Sequence, residues 1–177
     1  MKSEFLVISC SLNPESNSRK MGREAFAQFE SKVEAEWIDL RDFQLPLCDG
    51  DAAYGHANVG KLSKKIENAK CIIVAVPIYN FDVNAAAKNL VELTGRAWSE
   101  KVVGFLCAAG GKSSYMSVMS IANSLMLDFR CLIIPKFVYA DGSSFDDEGI
   151  CDESVKARIA ELAKGAVSLT RQATVPC

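Results

Sequence analysis

The sequence has a single histidine, His56, and no Cys-x-x-Cys pair among its seven cysteines. The histidine lies in a polar stretch, Gly50 to Gly60, with no motif for triad partners, so it reads as a solvent-facing loop residue. An odd set of cysteines at 10, 48, 71, 107, 131, 151 and 177 fits neither a zinc site nor a disulfide framework. Cys71, Cys107 and Cys131 lie in or beside apolar runs, where a thiol acts as a small buried hydrophobe and suits a reducing cytoplasm. An excess of charge is also missing: 20 Lys and Arg stand against 22 Asp and Glu, a net −2. With no basic field, neither nucleic acid nor an anionic membrane is an expected partner. Long apolar runs are absent as well, since the one after Met1-Lys2-Ser3-Glu4 has only five residues, too few for a signal peptide or a membrane span. A cytoplasmic, unprocessed chain is expected. It shows no repeat, linker or low-complexity tract, and residues 1–177 fit one ordinary domain.

What is present is a regular alternation. Short apolar runs suited to buried strands occupy Phe5 to Ser9, Val33 to Leu40, Cys71 to Val76, Val102 to Cys107 and Cys131 to Tyr139, and their starts are 28, 38, 31 and 29 residues apart. That is the repeat of a βαβ unit. Helical periodicity fills the gaps: Met21, Ala25 and Phe29 within Arg19 to Ser31, and Val59, Leu62, Ile66 and Ala69 in the next. Two more helices are predicted over Asn84 to Trp98 and Tyr115 to Asp128, and a last one after the capping residue Asp152, before a tail from Gln172 to Cys177. Five strands and five helices in strict alternation predict an α/β, doubly wound, five-stranded parallel sheet of order 2-1-3-4-5, with helices on both faces. Ligands of such sheets sit beyond the carboxyl ends of the strands, near the switch point between the first and third. The polar stretch Asp141 to Gly149 follows the last strand and is placed to overhang the same edge.

Three loops at that edge carry candidate chemistry. The first, Cys10 to Arg19, holds Ser11, Asn13, Ser16, Asn17, Ser18 and Arg19 just before a helix. A helix N-terminus offers unpaired N–H groups and roughly half a positive charge, and serine hydroxyls add donors for a bound phosphate. The same serines would serve equally as helix caps; the position after the first strand favours the phosphate. The second loop, Pro77-Ile78-Tyr79-Asn80-Phe81-Asp82-Val83-Asn84, combines a strand-ending proline, two aromatics and polar backbone, a composition that suits the faces and edge of a flat ring. The third, Ala108-Ala109-Gly110-Gly111-Lys112-Ser113-Ser114-Tyr115, has paired glycines that permit close approach to a ligand. It is not a P-loop, because Leu106 stands where that motif needs glycine, and no G-x-G-x-x-G fingerprint exists.

Pro77-Ile78-Tyr79-Asn80 followed by Lys88-Asn89, together with the serine-rich and glycine loops, resembles the NAD(P)H-dependent FMN reductase family, whose flavodoxin-like members include chromate, quinone and azo-dye reductases. The resemblance spans nearly the whole chain. It implies a noncovalently bound FMN, NAD(P)H as co-substrate and a small-molecule electron acceptor, in a homodimer or homotetramer. It also implies that Ser11, Ser16, Asn17, Ser18 and Arg19 hold the phosphate, that Pro77 to Phe81 line the ring, and that Ala109 to Ser113 meet its pyrimidine edge. No catalytic side chain or metal is then needed, since the flavin carries the chemistry. Three departures stand out: Phe81 where many relatives have glycine, Asn84 where many have proline, and Asn13 in place of an arginine, whose loss Arg19 can offset. The Phe81 ring is expected to narrow the cleft above the flavin. Two rivals share the scaffold, an electron carrier and a flavin-free regulatory domain, and the near-neutral charge argues against the carrier. A nonpolar face on the fourth helix, with Met116, Met119 and Met126, marks a candidate subunit contact.

Overall fold

A computed structural model of the chain describes residues 3–30 and 33–173. Ser31, the expected end of the first helix, and residues 174–177 with Cys177 lie outside the described residues. The strands are β1 (Phe5–Ser9), β2 (Ala35–Asp39), β3 (Cys71–Tyr79), β4 (Asp82–Val83), β5 (Val102–Ala108), β6 (Leu132–Ile133) and β7 (Val138–Ala140). The α-helices are α1 (Asn17–Glu30), α2 (Ala57–Asn68), α3 (Ala85–Thr94), α4 (Met119–Phe129) and α5 (Glu153–Ala173). The parallel sheet runs β2-β1-β3-β5-β6, which is the flavodoxin-like order expected from the alternation.

Each central strand is apolar on both sides because each side has its own helices. Leu6, Ile8, Ile72, Val74, Val103 and Phe105 face α2, α3 and α4, whereas Phe5, Val7, Ile73, Ala75 and Leu106 pack with α1 and α5. The period of two along every strand divides the residues between these two cores. Helix α1 comes unusually close to the sheet at Gly22. A Cβ there would lie 3.0 Å from the Trp37 ring and 3.2 Å from the Ala75 Cβ, so any side chain would push the helix away. The Arg23 guanidinium then covers the Trp37 ring at 4.0 Å.

Two elements differ from the expected pattern. The fifth strand is not continuous: β6 and β7 both pair with β5, but Ile133 sits opposite Val103 and Val138 opposite Leu106. The edge thus spends more residues than its partner, and Pro135, which has no N–H to donate, occupies the gap. The third strand continues past Val76 and folds back, so that Ile78 pairs with Val83 and Tyr79 with Asp82 in an antiparallel hairpin. Its two turn residues, Asn80 and Phe81, have φ of 52° and 68°, the positive values that a two-residue type I′ turn requires. The predicted third and fourth helices each contain a 3₁₀ turn, Gly95–Trp98 after α3 and Tyr115–Val118 before α4.

Candidate functional site

The carboxyl ends of β1, β3 and β5 bring the three loops together around a cavity of about 590 Å³, within the roughly 300–1,000 Å³ range of small-molecule sites. Ser11, Asn13, Ser16, Asn17 and Ser18 line it from the first loop, Pro77, Ile78, Tyr79 and Asn80 from the second, and Ala109 and Gly110 from the third. Arg19, Phe81, Gly111, Lys112 and Ser113 are not among its walls. Glu15, Ala108 and Gly142 are walls that the sequence did not single out. Gly142 comes from the segment after β7, the polar stretch expected to overhang this edge.

The first loop is shaped by its own polar groups. Ser11 Oγ accepts from Asn13 N at 3.3 Å, and Asn13 Oδ1 accepts from Glu15 N at 3.0 Å. Ser16 Oγ accepts from Arg19 N at 3.1 Å and so caps α1, while lying 2.9 Å from the fully buried Ser18 Oγ. The helix therefore starts two residues earlier than its apolar period predicts. Asn17 and Ser18 open α1, where helical geometry supplies no carbonyl for their N–H groups. Those donors face the cavity end of the helix dipole.

Arg19 is turned away from this cradle. Its Nε donates to Asp39 Oδ2 at 2.6 Å, its Nη1 to the Asn13 and Pro14 carbonyls at 2.8 and 3.0 Å, and its Nη2 to the Ser11 carbonyl at 2.9 Å. One guanidinium fork thus holds three loop carbonyls against the buried carboxylate at the end of β2. Arg19 organises the loop from behind. Beside it, burial pushes the Cys10 thiol far up, and the Asp39 charge adds to the effect, so no thiolate is available under the cradle.

Asn84, at the start of α3, ties the first loop to the second. Its Nδ2 donates to the Cys10 carbonyl at 2.8 Å and its backbone N to the Pro77 carbonyl at 3.1 Å. A proline in its place would supply neither bond. Lys88 and Asn89 stand outside the cavity: Asn89 accepts from Cys48 N at 2.8 Å and donates to the Pro46 carbonyl at 2.9 Å, and Lys88 pairs with Glu92 at 3.5 Å. Asn89 anchors the Pro46–Cys48 segment.

The glycine loop is held from the far edge. Ala109 N donates to the Ala140 carbonyl at 2.9 Å, and the Tyr139 hydroxyl donates to the Gly111 carbonyl. The Tyr115 ring packs against Tyr139 and Phe137 with centroids 5.5 and 4.8 Å away. Lys112, 88% exposed, reaches Asp141 at 4.0 Å. A Cβ built on Gly110 or Gly111 meets nothing within 4 Å, so the glycines leave open space above the loop.

This donor set fits FMN. Helix N–H groups with neutral hydroxyls suit a dianionic phosphate, and Pro77, Ile78 and Tyr79 with the Ala108–Gly110 backbone suit a flat ring with a polar edge. His56 is exposed and its Nδ1 accepts from Asn58 N at 3.3 Å, capping α2. Burial raises the Cys71 and Cys131 thiols to about 12 and about 11. Among the described residues, no group of His, Cys, Asp and Glu is arranged to hold a metal, and no helix is long and apolar enough to cross a membrane.

Comparison with known proteins gives the family and the fold. The profile of the NADPH-dependent FMN reductase family matches residues 3–146. An NAD(P)H-dependent FAD/FMN reductase of Geobacillus thermodenitrificans is 29% identical over 136 residues, covering 75% of this chain and 73% of the relative. An NAD(P)H:quinone oxidoreductase of Solanum tuberosum is 27% identical over 138 residues, covering 72% and 70%. The solved structure of FerB, a flavoenzyme NAD(P)H:(acceptor) oxidoreductase from Paracoccus denitrificans, superposes with a TM-score of 0.78 over 96% of this chain and 98% of its own, at 16% identity. That last likeness is one of fold.

Proposed function

Because the chain belongs to the NADPH-dependent FMN reductase family, and is an NAD(P)H-dependent FMN oxidoreductase, we propose that the cavity between the three loops is its flavin site and that a small molecule, whether flavin, quinone, azo dye or metal oxyanion, is its acceptor. When bound, FMN supplies the hydride and electron chemistry; the protein binds, orients and shields. Ser11, Asn13, Ser16, Asn17 and Ser18 receive the phosphate at the N-terminus of α1, and Arg19 keeps their loop in shape. Pro77 to Asn80 flank the ring, with Phe81 at the rim. Ala109 and Gly110 offer backbone groups to its polar edge, and Gly111, Lys112 and Ser113 continue that loop outward. The observation that carries the reading is the convergence of a serine-lined helix N-terminus and two ring-sized loop walls on one cavity.

The same reading treats residues 1–177 as one FMN-binding unit in the cytoplasm, in keeping with the six free cysteines among the described residues. It assigns the exposed Met116, Met119, Met126 and Leu127 on and beside α4 to contact between copies in a homodimer or homotetramer. The near-neutral charge supports neither nucleic acid nor membrane as partner. Anaerobic addition of NADH or NADPH to the FMN-loaded protein tests the function. The flavin colour should bleach, and a quinone added after removal of the nicotinamide should restore it. Tightly bound FMN that neither nucleotide bleaches would instead mark an electron carrier.

A further inference from the structure

The hairpin turn at the rim of the cavity is unusual in its residues. Among the described residues, Asn80 and Phe81 are the only neighbouring pair of non-glycines with positive φ; Glu100 and Arg130 occur singly. Asparagine tolerates this conformation, but in a bulky residue it is an outlier, because the Cβ crowds the following carbonyl. Core packing can offset such a cost, yet the Phe81 side chain is 60% exposed. Among the described residues the Phe81 side chain gains no burial in return for the strain that closes the hairpin. A phenylalanine held there against its backbone preference and against water points to a role at the site it borders.

The rim around it has a definite chemistry. Tyr79, on the cavity wall, is 52% exposed, and Leu12 in the first loop is exposed too. The exposed charged groups that these loops add, Glu15 and Asp82, are both acidic, and the first loop's cation, Arg19, is held against Asp39 behind it. Lys112, in the third loop, lies opposite Asp141 at 4.0 Å. Such a rim offers an inorganic oxyanion no cation that is not already beside a carboxylate, and offers apolar, aromatic surface to an uncharged planar molecule.

Resting on the flavin-site reading above, we propose that Phe81 is the acceptor-selecting residue: with Tyr79 it forms an aromatic platform at the cavity mouth that favours uncharged planar acceptors of the quinone class over oxyanions. The ring then does not narrow the cleft, as its bulk alone implied; it extends the binding surface outward. The strained turn is the means of presenting it, since a relaxed two-residue turn with glycine would leave the platform half built.

Phe81→Gly and Phe81→Leu test this. In Phe81→Gly the ratio of kcat/KM for a benzoquinone to that for chromate should fall by about tenfold, with Phe81→Leu intermediate. The melting temperature of the flavin-free protein should rise in Phe81→Gly, because glycine accepts a φ of 68° without strain. An unchanged substrate ratio overturns the proposal. So does a Phe81→Gly protein that melts lower and elutes at a smaller mass, which would place the ring in a contact between copies. A wild-type protein that takes up no FMN overturns the parent reading as well, whereas normal FMN uptake and bleaching with an unchanged ratio removes only the role of Phe81.

Discussion

Replacing Arg19 by alanine separates a residue that builds the phosphate loop from one that touches the phosphate. The guanidinium is only 13% exposed and its partner Asp39 only 7%. Its removal strands a buried carboxylate and releases the Ser11, Asn13 and Pro14 carbonyls together. Breaking a buried pair from one side costs about 3–5 kcal/mol. Arg41 Nε, 3.8 Å from the same carboxylate, can take up part of the loss, which argues for the lower end. A loss of about 3 kcal/mol lowers the melting temperature of a domain this size by roughly 6–12 °C. The assay is thermal or urea unfolding of the flavin-free protein, followed by FMN titration. Arg19→Lys keeps the charge but not the fork, so it should recover about half of the loss. FMN affinity should weaken in proportion to the disorder of the loop. If flavin-free Arg19→Ala unfolds like wild type while FMN affinity collapses, the guanidinium faces the phosphate and the clamp is wrong.

Ser16→Ala should cost about 1 kcal/mol of stability without flavin, from the lost cap on Arg19 N, and weaken FMN binding besides, measured by unfolding and by fluorescence titration. Brief alkylation of the native protein followed by peptide mapping should mark Cys48 and Cys151 and spare the buried Cys10, Cys71, Cys107 and Cys131. The raised Cys71 and Cys131 thiols also set a sign: above about pH 9 the unfolded chain loses these protons first, so stability should fall from there toward pH 12. Steady-state rates against both substrates should give parallel reciprocal lines, because among the described residues one cavity joins all three loops and must serve nicotinamide and acceptor in turn; intersecting lines would mean two sites.

The sequence pattern anticipates the features that depend on local chemistry. The apolar runs of β1, β3 and β5 could be read directly, and so could the loops after them, because buried parallel strands and polar turns differ sharply in composition. The β3–β4 hairpin was hidden because Asn80-Phe81 lacks the glycine that marks such turns. The split edge strand was hidden for a different reason: Pro135 sits inside an apolar run that otherwise looks continuous. Roles set by distant partners were out of reach. Arg19 looked like a phosphate ligand because serines adjoin it, and only the fold brings Asp39 to its guanidinium. Tyr139 supports the glycine loop from the sheet edge, over a separation that no local window spans, whereas Gly142 belongs to the stretch expected at this edge.

The central claim is that the N-terminus of α1 is a phosphate site and the neighbouring loops a ring site. Titrating the flavin-free protein with FMN and with riboflavin, which share the ring and differ in the phosphate, tests it most directly. One FMN per chain should bind at least about tenfold more tightly than riboflavin, from two or more charge-assisted hydrogen bonds to the phosphate. Equal affinities for the two would contradict the assignment of Ser11, Ser16, Asn17 and Ser18.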